Sequence, residues 1–267
     1  MLVAITAAGL LGCGKRSASS RRAVQVLQDQ RYGPGPFQTY DLYRRGSGRD
    51  KAVVVIVHYG GGVEGDKADY TPAMLGTRLV NEGFSAASIN YRLAPAYVWP
   101  AAVEDVRAAI RHFKERDGKV FVVGLSAGGW FAEQAALTPS TAPAGIVSVA
   151  APQDMTVNTP WSRVVLAGVD RKRASPIFNV KKGFPPTLLI QGTQDLVVPL
   201  QQAVRMRDAL KREGVEVELV VLRGAGHFQP EPQFLDAFYP HLRSWLQEHA
   251  GARKASPKRR DGSGAGA

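Results

Sequence analysis

Cysteine is almost missing from this chain: Cys13 stands alone in 267 residues, so no internal disulfide can staple the fold. Nor does any apolar run approach the roughly 18 residues that would span a bilayer as a helix. Acidic charge is scarce, with 23 Asp and Glu against 34 Lys and Arg, a formal net charge of +11. Such an excess would point to nucleic acid or an anionic surface if the folded part carried it. It does not. Residues 1–31 and residues 251–267 each hold five basic side chains and one acidic, which leaves 24 against 21 between them. No specific nucleic-acid partner is therefore expected. A hydrophobic content of 45% with 21% charged residues excludes disorder throughout, and the length suits one large domain.

The two ends read differently from the middle. Residues 252–267 contain no aromatic and no aliphatic larger than Ala, so they cannot offset their own ordering entropy, and a disordered basic tail is expected from residue 251. At the other end an apolar run, Met1 to Gly12, has the length of a signal-peptide core and stops directly before Cys13. Leu10-Leu11-Gly12-Cys13 resembles a bacterial lipobox, whose cysteine becomes lipidated. That resemblance implies a leader and tether over residues 1–22, membrane anchoring through Cys13, and residence in the bacterial cell envelope. No Lys or Arg precedes the run while Lys15, Arg16, Arg21 and Arg22 follow it, a pattern that fits a cytoplasmic enzyme instead.

From residue 23 to 250, short apolar runs alternate with amphipathic helical segments, the pattern of a mostly parallel sheet covered by helices on both faces. Strands are predicted at 38–43, 52–57, 86–90, 119–123, 145–149, 187–191 and 215–222. Helices are predicted at 74–81, 101–116, 128–137, 200–212 and 233–249. The stretch 152–186 shows neither period. It is too short for a second domain and too long for an ordinary connection, so a small cap over the strand ends is expected there.

Gly124-Leu125-Ser126-Ala127-Gly128 follows the apolar run Val120 to Val123 and opens a helix, the context that a nucleophile elbow needs. The glycines belong there because a turn this sharp leaves no room for side chains two positions before and after the serine. A serine at its ordinary pKa is a poor nucleophile, so a histidine must reach it and a carboxylate must orient the histidine. Of five histidines, His112, His241 and His249 lie in helical patterns, whereas His227 stands in a glycine-rich loop directly after a strand. Asp195 follows the strand 187–191, and the order Ser126, Asp195, His227 is the order this architecture uses. Asp154, after the strand 145–149, is the one rival and reads better as a turn residue. Backbone donors for a developing oxyanion are expected from Ala127 and from Gly60 and Gly61 in the loop after the strand 52–57.

Together these residues resemble the α/β-hydrolase esterases of the acetyl-esterase, feruloyl-esterase-like and hormone-sensitive-lipase-like groups. The resemblance spans about Tyr32 to His249 and includes His58 to Gly62 with Gly65-Asp66-Lys67, Tyr91 to Pro95, Pro100 to Asp105, the elbow and Gly226-His227. It implies an α/β-hydrolase fold, a serine esterase acting on small-molecule carboxylic esters through an acyl-enzyme, and no metal or organic cofactor. It also implies a structural ion pair between Arg92 and Asp105, and a His58 that holds the glycine loop. Tyr59 occupies the place of the first family glycine and Gly62 that of the usual Trp, which alters the acyl pocket. Trp161, Phe178 and Phe184 in the cap are read as packing.

Two other readings are open to the same residues. A serine peptidase of the prolyl-oligopeptidase type shares the elbow, acid and histidine, but adds a propeller for which 267 residues leave no room and lacks the glycine loop. A non-catalytic envelope binding protein on the same scaffold would have no need of all three side chains.

Overall fold

A computed structural model describes residues 23–46, 50–157 and 159–251. The expected leader with Cys13 and nearly all of the basic tail lie outside the described residues. Eight strands form one sheet: β1 (Gln25–Arg31), β2 (Thr39–Arg44), β3 (Val53–Val57), β4 (Ser85–Ile89), β5 (Val120–Leu125), β6 (Gly145–Val149), β7 (Thr187–Gly192) and β8 (Val217–Leu222). Their spatial order is β1-β2-β4-β3-β5-β6-β7-β8. The pairings β1 with β2 and β2 with β4 are antiparallel, and every pairing from β4 to β8 is parallel. Among the described residues six α-helices accompany them: α1 (Tyr70–Asn81), α2 (Ala101–Asp117), α3 (Ala127–Ala136), α4 (Pro160–Val165), α5 (Leu200–Arg212) and α6 (Glu231–Gly251).

The central strands of the sheet are buried on both faces, and β3 is β-branched throughout. In β3 every residue from Val53 to Val57 is buried, and the period of two sorts them. Val53, Val55 and Val57 face the core shared with α2, α3 and α5, while Val54 and Ile56 face the core shared with α1 and α6. Helix α2 offers Ala102, Val103, Val106, Ala109, Ile110 and Phe113 to the sheet, a helical stripe that ends where Gly118 turns the chain. Full burial of Phe113 alone contributes roughly 2 to 3 kcal/mol.

Two differences from the sequence reading have physical causes. Strand β1 carries no apolar periodicity because all seven of its residues are exposed at the sheet edge. Helix α1 begins four residues earlier than predicted, since Pro72 lies in the first turn, where a missing N–H breaks no hydrogen bond. The stretch 152–186 holds α4 and a 3-10 turn at Pro176–Phe178. It is joined to α3 by the Trp130 indole, which donates to the Ala174 carbonyl at 2.6 Å. The Arg92–Asp105 pair forms at 2.9 Å with the Asp105 carboxylate fully buried, where it also accepts from Gln38. Among the described residues no helix is long and apolar enough to cross a membrane.

Glu133 lies fully buried on α3, accepting from Gln153 at 3.3 Å, with Ser148 as its other polar neighbour. Burial pushes its carboxyl from 4.5 up to about 8, against the opposing effect of both neighbours. The native state therefore keeps a proton that the unfolded chain releases above about 4.5, so stability falls as pH rises from there toward 8. Glu133→Gln, which keeps the shape and removes the titration, is expected to be more stable than wild type at pH 8 by a few kcal/mol and to differ least near pH 4.5. Urea denaturation of both proteins across that range checks it. Parallel pH profiles for the two proteins would contradict it.

Candidate active site

Four loops leave the carboxyl ends of parallel strands and meet at one place. The loop after β3 starts at His58, that after β5 at Ser126, that after β7 contains Asp195, and that after β8 contains His227. Because β3 adjoins β5 and β7 adjoins β8 across a short span of sheet, residues separated by more than a hundred positions converge.

Ser126 sits at the turn between β5 and α3 with φ 51° and ψ −119°, a backbone conformation that side-chain-bearing residues rarely adopt. The turn can be this tight only because its flanking residues lack side chains. A Cβ on Gly128 would come within 2.2 Å of the Val57 carbonyl oxygen, and one on Gly124 within 2.4 Å of the Gly129 Cα. Ser126 Oγ lies 3.0 Å from His227 Nε2, and His227 Nδ1 lies 2.7 Å from Asp195 Oδ2. A carboxylate can only accept, so Nδ1 carries the hydrogen and Nε2 presents its lone pair to the serine. The buried Asp195 is itself fixed: Oδ2 also accepts from Gln191, and Oδ1 accepts from the Val197 and Val198 amides at 2.9 and 2.7 Å.

Asp154 points elsewhere. Its carboxylate accepts from Thr156 and pairs with Arg205 at 2.6 Å. Burial alone would raise its pKa, but the Thr156 hydrogen bonds and the Arg205 guanidinium outweigh that and hold it below the usual carboxylate range.

The glycine loop is shaped by His58. This ring is buried, stacks on Tyr91 at 4.2 Å and contacts the Tyr59 carbonyl through Nδ1 at 2.6 Å. Desolvation pulls its pKa down to about 4, so it is neutral at physiological pH and donates from Nδ1. Gly60 follows at φ 109°, where a Cβ would sit 2.0 Å from the Glu64 carbonyl oxygen, and this compact turn is closed by Val63 and Glu64 amides donating to the Gly60 carbonyl. Among the described residues none accepts a hydrogen bond from the amides of Gly60, Gly61 or Ala127. Gly60 and Gly61 line a cleft of about 340 Å³ together with Ser126 and His227.

The cleft also contains residues that the sequence reading left out. Trp161, read as packing, lines it beside Gly61, while Phe184 is buried away from it and Phe178 is 47% exposed elsewhere. Glu64, Val197, Phe228 and Glu231 complete much of the wall. Glu64, Phe228 and Glu231 lie beside the expected loops, and only that adjacency could have signalled them. No group of three His, Cys, Asp or Glu side chains among the described residues is arranged to hold a metal ion.

Two family models match this chain: BD-FAE over residues 40–158 and the prolyl oligopeptidase family over residues 100–253. Esterase LipC of Mycobacterium tuberculosis is 30% identical over 234 residues, covering 73% of this chain and 58% of its own length. The chain thus spans a little over half of that relative. Among solved structures, a truncated carbohydrate esterase from gut microbiota superposes with a TM-score of 0.77 at 20% identity, covering 88% of this chain and 99% of that one. An esterase/lipase from an uncultured bacterium superposes with a TM-score of 0.74 at 25% identity, covering 86% of each.

Proposed function

We propose, on the premise that the chain belongs to the prolyl oligopeptidase family, a serine esterase that cleaves small to medium carboxylic esters. The observation that carries the proposal is the unbroken chain from Ser126 Oγ through His227 to Asp195, at 3.0 and 2.7 Å, opening into a cleft walled by a glycine loop.

In the proposed cycle Ser126 Oγ attacks the ester carbonyl carbon while His227 Nε2 takes its proton. Negative charge moves to the carbonyl oxygen, where the amides of Gly60, Gly61 and Ala127 receive it. Collapse expels the alcohol, which takes the proton from His227 and leaves an acyl-Ser126. Water then attacks that ester, again giving its proton to His227, and the acid departs as the serine is restored. Asp195 keeps the imidazole in the accepting tautomer and stabilises the imidazolium that forms transiently.

A fluorophosphonate probe should label Ser126, and labelling should abolish hydrolysis of p-nitrophenyl esters of graded acyl length. Failure to label would remove the proposal and favour a binding protein. The prolyl oligopeptidase match supports a second reading, a serine peptidase that cleaves an amide bond of a peptide. A labelled serine with amide turnover but no ester turnover would select it.

We also propose that Cys13 is a lipid attachment site holding the enzyme at the bacterial envelope, a reading that rests on Leu10 to Cys13 alone. Mass spectrometry of the native protein should find residues 1–12 removed and an acyl mass on Cys13. An intact N-terminus in the soluble fraction would leave the esterase reading and remove the anchor.

A further inference from the structure

Tyr59 opens the glycine loop and lines the cleft. Its hydroxyl donates to Glu231 Oε1 at 2.9 Å, and the buried Thr71 hydroxyl donates to Glu231 Oε2 at 3.0 Å. One carboxylate therefore ties the glycine loop, the first turn of α1 and the first turn of α6 together. Glu231 follows His227 by only four residues, so this bridge spans the gap between the loop that bears the oxyanion donors and the loop that bears the base.

The charge on that wall is one-sided. Glu231 and the exposed Glu64 both line the cleft, and no Lys or Arg is among its lining residues. Lys67 pairs with Asp29 and Asp41, and Arg78 with Asp236, while Arg163 on α4 and Arg223 after β8 are not among the lining residues. Burial, followed by the Glu231 carboxylate and then Asp69, raises the Tyr59 phenol well above its ordinary pKa, so the phenol stays a neutral donor that leaves Glu231 its charge. A carboxylate with two hydroxyl donors still has lone pairs free for a third donor.

Resting on the esterase reading above, we propose that Tyr59, Glu231 and Glu64 form a charge-selective wall that accepts esters bearing hydroxyl or cationic groups and turns away esters bearing a second carboxylate. The wall is negative before substrate arrives, so an anionic group entering the cleft meets repulsion in a medium of lower dielectric than water, whereas a cation is drawn in. Glu231 and Glu64 each supply one negative charge, and the Tyr59 hydroxyl, donating to Glu231 Oε1, completes the wall without changing its charge.

The test uses two sets of esters in which only the charge varies. One set places a quaternary ammonium, its neutral tert-butyl isostere or a carboxylate on the alcohol; the other places them on the acyl group of a p-nitrophenyl ester. In at least one set wild type should favour the cation over the anion by about tenfold or more in kcat/KM at low salt, with the neutral ester between. Rising ionic strength should shrink the ratio. Glu231→Gln, which retains an acceptor for Tyr59, should collapse the ratio several-fold, and Tyr59→Phe, which leaves both charges, should preserve it. A ratio within about twofold in both sets, or one insensitive to salt and to Glu231→Gln, overturns the proposal. Should Glu231→Gln fail to fold, the salt dependence of wild type decides alone. If no ester is hydrolysed, the esterase reading fails separately, and the wall is then read from fluorophosphonate labelling of Ser126. Choline should slow that labelling and glycolate should not; equal effects would sink the wall as well.

Discussion

Ser126→Ala is expected to lower kcat by roughly 10⁴- to 10⁶-fold on any ester that the wild type turns over, with His227→Ala causing a loss of the same order. The two side chains act as one unit, since the serine is nucleophilic only while Nε2 at 3.0 Å removes its proton. Combining the substitutions should therefore cost little more than either alone. The fold should survive Ser126→Ala, because the elbow is held by the glycines and by the Ser126 amide, which donates to the Val149 carbonyl at 2.8 Å, and not by the hydroxyl. Steady-state kinetics with circular dichroism of purified variants measures both. Retention of more than about a tenth of wild-type kcat by Ser126→Ala would remove the acyl-enzyme mechanism.

Asp195→Asn should cost about 10⁴-fold in kcat. The Asn side chain can present its NH₂ to Nδ1, which then becomes the acceptor, moves the ring hydrogen to Nε2 and leaves the serine proton without a base. The Val197 and Val198 amides, which donate to Oδ1, still hold the carbonyl of the substituted side chain in place, while the Gln191 bond to Oδ2 is lost with the tautomer, so the loss is mainly one of tautomer and charge. Asp154→Asn serves as the contrast. It weakens the pairing with Arg205 and is expected to change stability more than turnover, because Asp154 faces Thr156 and Arg205. If Asp154→Asn proved the more damaging to kcat, the acid would have to be reassigned to the loop after β6.

Sequence alone determined the architecture and singled out Ser126 and His227 as the expected nucleophile and base. All-apolar β-branched runs such as Val53 to Val57 can be satisfied only by a sheet covered on both faces, and the stripe on α2 supplies one of the covers. The elbow was legible because its glycines are demanded by local backbone crowding, a constraint that acts within a few residues and so leaves a local signature. Strand β1 was illegible for the converse reason: an edge strand with seven exposed residues is formed by its hydrogen bonds to β2, and hydrogen bonds to a partner leave no period in sequence. The tertiary structure decided which acid meets His227, since Asp154 and Asp195 both follow strands and differ only in where their carboxylates point. It also decided the character of the cleft wall. Trp161, Glu64 and Glu231 come from three separate segments, and their convergence with Tyr59 depends on the order in which strands stack across the sheet, which no spacing along the chain encodes.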